Sequence, residues 1–171
     1  MRYRATVLAF ILVTAAALAD SYGWKEYVYA DDLFAVSTPF PPTVEERTVK
    51  IRFGLIVARY YSVSLGGDSG LMLTASKRHP DDHRTPLQMF SEAKQASLPG
   101  IGAKLVSEMP VSLEGNSGTQ VEFESSKYRG RIRYFVVGSM FYQIMSVAPI
   151  GKALAPETDR FFDSFRLIRS R

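Results

Sequence analysis

Residues 119–147 read TQVEFESSKYRGRIRYFVVGSMFYQIMSV, and this stretch decides the fold. Apolar and polar side chains alternate along much of it with a period of two, which is the pattern of half-buried β-strands. The polar segment 127–130 and the dipeptide Gly138-Ser139 divide it into three parts, and the dipeptide fits a two-residue hairpin turn. The sequence therefore predicts three consecutive antiparallel strands.

The first hairpin in this stretch also carries a prediction of register. If residues 127–130 form its turn, Glu124 lies directly opposite Arg133. Opposite charges in that position attract each other across an antiparallel pair. We therefore expect a cross-strand ion pair between Glu124 and Arg133.

Alternation and turn residues predict further strands in the rest of the chain. Pro110 cannot donate a hydrogen bond to a neighbouring strand, so it places its own strand at a sheet edge or at a bulge. The predicted strands cover residues 24–30, 34–38, 49–53, 55–65, 71–76 and 104–113.

A helix is predicted from Thr85 to about Leu98. Thr85 and Gln88 have the spacing of a capping box, and Pro86 suits the first helical position. We expect one apolar stripe of this helix to face the sheet, and its members are Leu87, Phe90 and Ala93.

A second helix is expected at about 156–165, where three phenylalanines make a face that is stable only when it is buried on the sheet. These are Phe161, Phe162 and Phe165. The elements together predict an α+β fold, in which an antiparallel sheet of about six to eight strands carries two or three helices.

The first nineteen residues have the composition of a signal peptide. Two arginines lie among the first four residues, residues 5–16 are uncharged, and Ala17-Leu18-Ala19 offers a small-x-small cleavage site. The apolar run is shorter than the ~20 residues that span a bilayer. We therefore predict that residues 1–19 are removed before Asp20, which leaves 20–171 as one periplasmic or secreted domain without a stable membrane anchor. The alternative interpretation is an uncleaved N-terminal anchor.

Composition narrows the classes of function. The 171-residue chain is 46% apolar and 22% charged, which is ordinary for a packed globular protein. It contains no cysteine, so disulfides, thiolate metal sites, thiol catalysis and a cysteine-linked lipid anchor are excluded. Cleavage would leave 19 basic against 17 acidic residues. A net charge of +2 is too small to indicate a nucleic-acid partner.

Aromatic, apolar and proline positions recur in a set of segments along the chain, namely Trp24-x-x-Tyr27-x-Tyr29, Phe34-x-Val36-x-x-Pro39-x-Pro41, Tyr134–Val137 with Phe141–Ile144, and Phe161–Leu167. These segments resemble the PsbP-like superfamily, which includes photosystem-associated PsbP proteins, a nuclear-transport factor that binds the GTPase Ran, and exported bacterial proteins. The resemblance implies an α/β/α sandwich that acts mainly by binding other proteins. It carries over no catalytic residue and no cofactor.

One loop contains both histidines of the chain with two carboxylates between them. Imidazole and carboxylate groups together bind zinc and other divalent ions. The metal hypothesis takes as ligands His79, Asp81, Asp82 and His83. The alternative interpretation is a polar turn before the capped helix, in which proline and aspartate are expected for conformational reasons alone.

The densest basic stretch is a candidate surface for an anionic envelope component or a partner. It consists of Lys127, Arg129, Arg131 and Arg133. The alternative is a solvated sheet face on which Glu122 and Glu124 neutralise part of the row. Two aromatic pairs are candidate linings of a ligand groove, namely Tyr60-Tyr61 and Phe141-Tyr142.

The sequence favours a non-enzymatic exported module that contacts a protein partner or an envelope component through a face or edge of its sheet. No nucleic acid and no cofactor are expected. The main alternative is a small-molecule or divalent-metal-binding protein that uses the loop 77–84. A hydrolase without a recognisable signature is the third hypothesis.

Overall fold

The computed structural model describes residues 23–168, so the predicted signal peptide and its cleavage before Asp20 lie outside the described residues. Their elements are β1 (Lys25–Tyr29), a 3₁₀ turn (Ala30–Asp32), β2 (Phe34–Thr38), β3 (Thr43–Ile51), β4 (Gly54–Gly66), β5 (Ser69–Lys77), α1 (Pro86–Gly100), β6 (Lys104–Leu113), β7 (Asn116–Glu124), β8 (Tyr128–Val137), β9 (Met140–Pro149), α2 (Glu157–Ser164) and β10 (Arg166–Leu167). None of the helices among residues 23–168 is long and apolar enough to cross a membrane.

The strands form two antiparallel sheets. The larger sheet has seven strands in the order β3-β4-β5-β9-β8-β7-β6, and the smaller has three in the order β1-β2-β10. The predicted α+β fold, with one principal sheet and two helices, is confirmed. The small sheet is a feature that strand prediction alone did not separate from the large one.

The three consecutive strands predicted from residues 119–147 are confirmed as β7, β8 and β9, and Gly138-Ser139 is the turn between the last two. The predicted pairing of Glu124 with Arg133 is wrong, because Glu124 lies opposite Arg129 instead. The turn is formed by residues 125–127, where the Ser125 hydroxyl oxygen accepts hydrogen bonds from the next backbone N–H groups. This local hydrogen bonding closes the turn earlier than alternation suggested.

One face of the large sheet is covered by the small sheet and by α2. Phe34 of the small sheet is fully buried and packs against Tyr61 and Tyr142 of the large one, with ring centroids 5.1 and 6.1 Å away. The three phenylalanines predicted to be buried at the C-terminus are buried here. These aromatic residues form the main core of the protein.

The opposite face is covered by α1. Its predicted capping box is confirmed, since the side chains of Thr85 and Gln88 each accept the other residue's backbone N–H. Phe90 is buried as expected, but Leu87 is 76% exposed. A strict spacing of three residues drifts off a helix face with 3.6 residues per turn, so Leu87 and Ala93 do not share one side.

The helix α1 lies over β6, β7 and β8 and leaves the other half of that face without a covering helix. At the end nearest the N-terminus of α1, this arrangement leaves a cleft of about 330 Å³. The cleft is walled by the hairpin of β3 and β4, by the loop 78–84 and by α1.

Candidate functional site

The loop 78–84 does not gather the four predicted metal ligands around one point. His79 Nδ1 accepts a hydrogen bond from the backbone N–H of Asp81 at 3.2 Å, while the Asp81 carboxylate is exposed. His83 is exposed as well. Within residues 23–168, no three histidine, aspartate or glutamate side chains come together as a metal site.

The carboxylate of Asp82 is already occupied by an arginine. Its side chain is 1% exposed, and Arg84 donates to both of its oxygens, with Nε 2.7 Å from Oδ1. The hydrogen bond from Arg84 holds the pKa of Asp82 below its ordinary value. Asp82 therefore serves as an anchor inside the loop, and a metal ion would have to displace a guanidinium to reach it.

Arginines tie the loop to the neighbouring elements. Glu92 of α1 binds both Arg84, at 2.5 Å, and Arg52 of the hairpin, at 2.6 Å. The guanidinium groups of Arg52 and Arg84 lie 5.0 and 5.1 Å from the ring centre of Phe53. Arg78 donates to the backbone oxygens of residues 82 and 84. The loop is thus held in place against both walls of the cleft.

The basic row of β8 lies on the face that α2 covers. Arg131 binds Asp159 at 2.6 Å, and Arg133 binds Asp163 at 3.3 Å. The ring of Phe162 lies below both guanidinium groups, 6.0 and 4.9 Å away. These two arginines therefore attach α2 to the sheet.

Glutamates of the adjacent strand β7 also neutralise part of the basic row of β8. Glu122 lies 3.4 Å from Arg131, and Glu124 lies 3.9 Å from Arg129. Lys127 stands in the exposed turn between β7 and β8. Of the predicted basic surface, Lys127 and the more open Arg129 are therefore the most accessible members.

A buried polar cluster, which no local sequence pattern indicates, joins the two sheets. Asp32, in the 3₁₀ turn after β1, accepts hydrogen bonds from the Tyr61 hydroxyl and from Arg59 Nη1, the latter at 2.9 Å. The Tyr142 hydroxyl donates to the backbone oxygen of Asp32 at 2.8 Å. Asp32 is 7% exposed, so these bonds are largely shielded from water. We call this group of four residues the Asp32 clamp.

We expect the Asp32 clamp to make the free energy of unfolding depend on pH in the alkaline range. Burial raises the pKa of both Tyr61 and Tyr142, so both keep their protons in the folded protein above pH 10, where tyrosines of the unfolded chain ionise. Stability is therefore retained below about pH 10 and is lost as pH rises, by about 1.4 kcal/mol per pH unit for each tyrosine.

Above pH 10, we expect Tyr61→Phe to reduce the slope of the free energy of unfolding against pH by about 1.4 kcal/mol per pH unit, which corresponds to one proton. The same substitution is expected to lower stability at neutral pH, because it removes the hydrogen bond to Asp32. Urea unfolding between pH 8 and 11.5 measures the slope, and Tyr142→Phe is expected to have a similar effect. Unchanged slopes in both variants would show that neither hydroxyl is responsible.

The candidate aromatic pairs do not form one groove. Neighbouring residues of a strand face opposite sides of the sheet, so Tyr61 and Tyr142 are buried in the core with the small sheet. Phe141 faces the other way and lines the cleft beside α1.

Comparison with solved structures finds proteins of similar architecture. The solution structure of cyanobacterial PsbP (CyanoP) from Synechocystis sp. PCC 6803 superposes with a TM-score of 0.54, over 91% of this chain and 98% of CyanoP. The chain has a PsbP-like fold. The fold expected from the aromatic and proline segments is thereby confirmed, at 11% sequence identity. No protein-family model and no curated protein sequence matches the chain.

In this PsbP-like fold the two edges of the large sheet differ. Pro110 lies in the edge strand β6, as predicted, and the pairing of β6 is shifted by a bulge between Leu105 and Ser107. The other edge, β3, pairs with β4 over nine residues in an unbroken register and contains no proline.

Proposed function

We propose that this protein is a non-enzymatic, exported binding module that pairs an extended segment of a partner protein with the free edge of β3. The observation that carries the proposal is the contrast between the two sheet edges. Proline and bulges discourage a further strand, and β6 has both. β3 has neither, and alternate backbone N–H and C=O groups along it point away from β4.

An apolar surface adjoins this edge. Leu55 is 65% exposed, Val57 is 46% exposed and Val44 is 49% exposed. Their cross-strand partners show that all three lie on one face of the sheet, since they occupy alternate positions of the β3–β4 register. An added strand would have side chains on that same face, next to these residues.

The charges of β3 favour a partner segment with little net charge. The strand carries Glu45, Glu46, Arg47 and Lys50, so its formal charges balance. Glu45 pairs with Arg47, and Glu46 pairs with Arg59 of β4. The expected partner is therefore an extended segment with alternating apolar residues rather than a highly charged one.

Site-specific photo-crosslinking tests this proposal. A photoreactive residue at position 55 is expected to capture one defined partner protein from an envelope extract. The same residue at position 87 is the matched control, because Leu87 is even more exposed but lies on α1. A second probe at position 48 of β3 should capture the same partner and lose it when Leu55→Glu and Val57→Lys are introduced.

Two outcomes would contradict the proposal. Equal capture at positions 55 and 87 would indicate nonspecific apolar contact, and a crosslink between two copies of this chain would indicate self-association.

Export is tested separately by sequencing the N-terminus of protein recovered from the envelope, which is expected to begin at Asp20. Recovery of protein that begins at Met1 would contradict it.

A further inference from the structure

We propose that the cleft beside α1 binds a small amphipathic anion, namely a carboxylate at the end of an apolar chain, with about eight carbons in all. This site lies on the sheet face opposite Leu55 and Val57, and it does not rest on the strand-pairing proposal. Its ligand is a small molecule, so each proposal can fail without the other.

The inner lining of the cleft is apolar. Side chains from four elements contribute, including Ile51 of β3, Ile56 of β4, Phe141 of β9 and Ala96 of α1. A volume of about 330 Å³ is at the lower end of the range for small-molecule sites. At about 30 Å³ for each water-sized group, the cleft holds about ten non-hydrogen atoms, as an eight-carbon carboxylate has.

Arginines surround this apolar lining with an excess of positive charge. Three guanidinium groups, those of Arg52, Arg78 and Arg84, line the cleft together with two carboxylates. Asp82 is bound on both oxygens by Arg84, and Glu92 is shared by Arg84 and Arg52. Both carboxylates are therefore already neutralised.

Arg78 is the guanidinium without a close carboxylate. Its Nη2 lies 4.0 Å from Asp82 and donates instead to backbone oxygens, and its buried Nε has no hydrogen-bond partner among the described residues. Its charge is thus compensated by carbonyl dipoles and, at longer range, by a carboxylate that Arg84 already binds on both oxygens. An anion nearby would supply the missing countercharge.

His79 also lines the cleft. Because His79 Nδ1 accepts a backbone N–H, the neutral ring carries its proton on Nε2. That nitrogen lies beside Gly54, where an added Cβ would come within 3.0 Å of it. Glycine at position 54 thus leaves this nitrogen uncrowded.

The same charges oppose a cation. Three guanidinium groups line the cleft and both of its carboxylates are bound by arginine, so the cleft repels a divalent ion. The cleft therefore favours an anion over the metal ion that the loop sequence suggested, and the two can be distinguished by titration.

The experiment is an NMR titration of ¹⁵N-labelled protein with octanoate, 1-octanol, octyltrimethylammonium and Zn²⁺ in parallel. Octanoate is expected to shift the backbone amides of cleft residues, among them Ala93 and Ala96, and to saturate. Octanol should bind about tenfold more weakly, because it lacks the charge-assisted hydrogen bonds. The cationic chain and Zn²⁺ should leave these amides unshifted.

Substitutions that leave Asp82 and Arg84 unchanged test where the ligand binds. Arg52→Gln is expected to weaken octanoate binding about threefold, whereas Arg47→Gln is expected to leave it unchanged. The two side chains are matched in exposure, at 57% and 61%. Ala96→Leu should fill the cleft and abolish binding while α1 stays intact, since leucine is a good helix former.

Four results would overturn the proposal. They are equal binding of octanol and octanoate, tighter binding of octyltrimethylammonium or Zn²⁺ at these amides, equal effects of Arg52→Gln and Arg47→Gln, and the absence of any shift at the cleft with octanoate.

Discussion

Asp32→Ala is expected to lower the free energy of unfolding by about 3 kcal/mol. The substitution leaves the buried Tyr61 hydroxyl without its acceptor and removes one of the two carboxylates that Arg59 binds. Arg59 keeps Glu46 and is about one-third exposed, so solvent limits its share of the loss. Most of the effect comes from the Tyr61 hydroxyl, which is left unpaired between the two sheets.

The neighbouring residue provides the control for this prediction. Asp31 carries the same carboxylate in the same 3₁₀ turn, but it is exposed. Asp31→Ala is therefore expected to change stability by at most about 0.5 kcal/mol. Urea unfolding at pH 7 measures both variants, and equal losses would show that the clamp does not join the sheets as described.

Phe162→Ala is expected to cost about 4 kcal/mol of stability, the largest effect predicted for a single side chain of α2. Phe162 is 3% exposed and lies in the main core, where truncation leaves a cavity. Its ring also supports Arg131 and Arg133, so both cation–π contacts are lost with it. An eight-residue helix does not persist on its own in water, so α2 should loosen first.

Thermal unfolding and hydrogen exchange of α2 amides measure this effect. Leu87→Ala removes an apolar side chain from an exposed helical position and is expected to change stability by less than about 0.5 kcal/mol. A Phe162→Ala variant that keeps both its stability and the protection of α2 amides would refute the assignment of this ring as the anchor of the helix.

Short-range chemistry explains which elements the sequence predicted well. The start of α1 depends on Thr85 and Gln88, which lie within one turn of each other. The hairpin at Gly138 and the edge position of Pro110 likewise follow from local backbone requirements. The register of β7 with β8 was mispredicted because Ser125 offered a competing local turn.

The candidate residues were harder to interpret because residue type does not reveal partners. By residue type Asp82 is a possible metal ligand, but in the structure both of its carboxylate oxygens accept hydrogen bonds from Arg84. The spacing Asp-x-Arg was visible in the sequence and was the available signal for this pair. By contrast, the partner of Arg131 is Asp159, 28 residues further along, and no local pattern indicates that contact.

The local sequence was sufficient to place most strands approximately and to predict the cap of α1 and the hairpin at Gly138-Ser139, because these features depend on side chains within a few residues of each other. Only the tertiary structure shows which groups meet between layers, such as the hydroxyl of Tyr142 and the backbone oxygen of Asp32, 110 residues apart. It also decided that Gly130 lies beneath the ring of Phe123, where an added Cβ would come within 2.4 Å of a ring carbon. Alternation along a strand assigns residues to a face, but which layer covers that face depends on how distant segments pack.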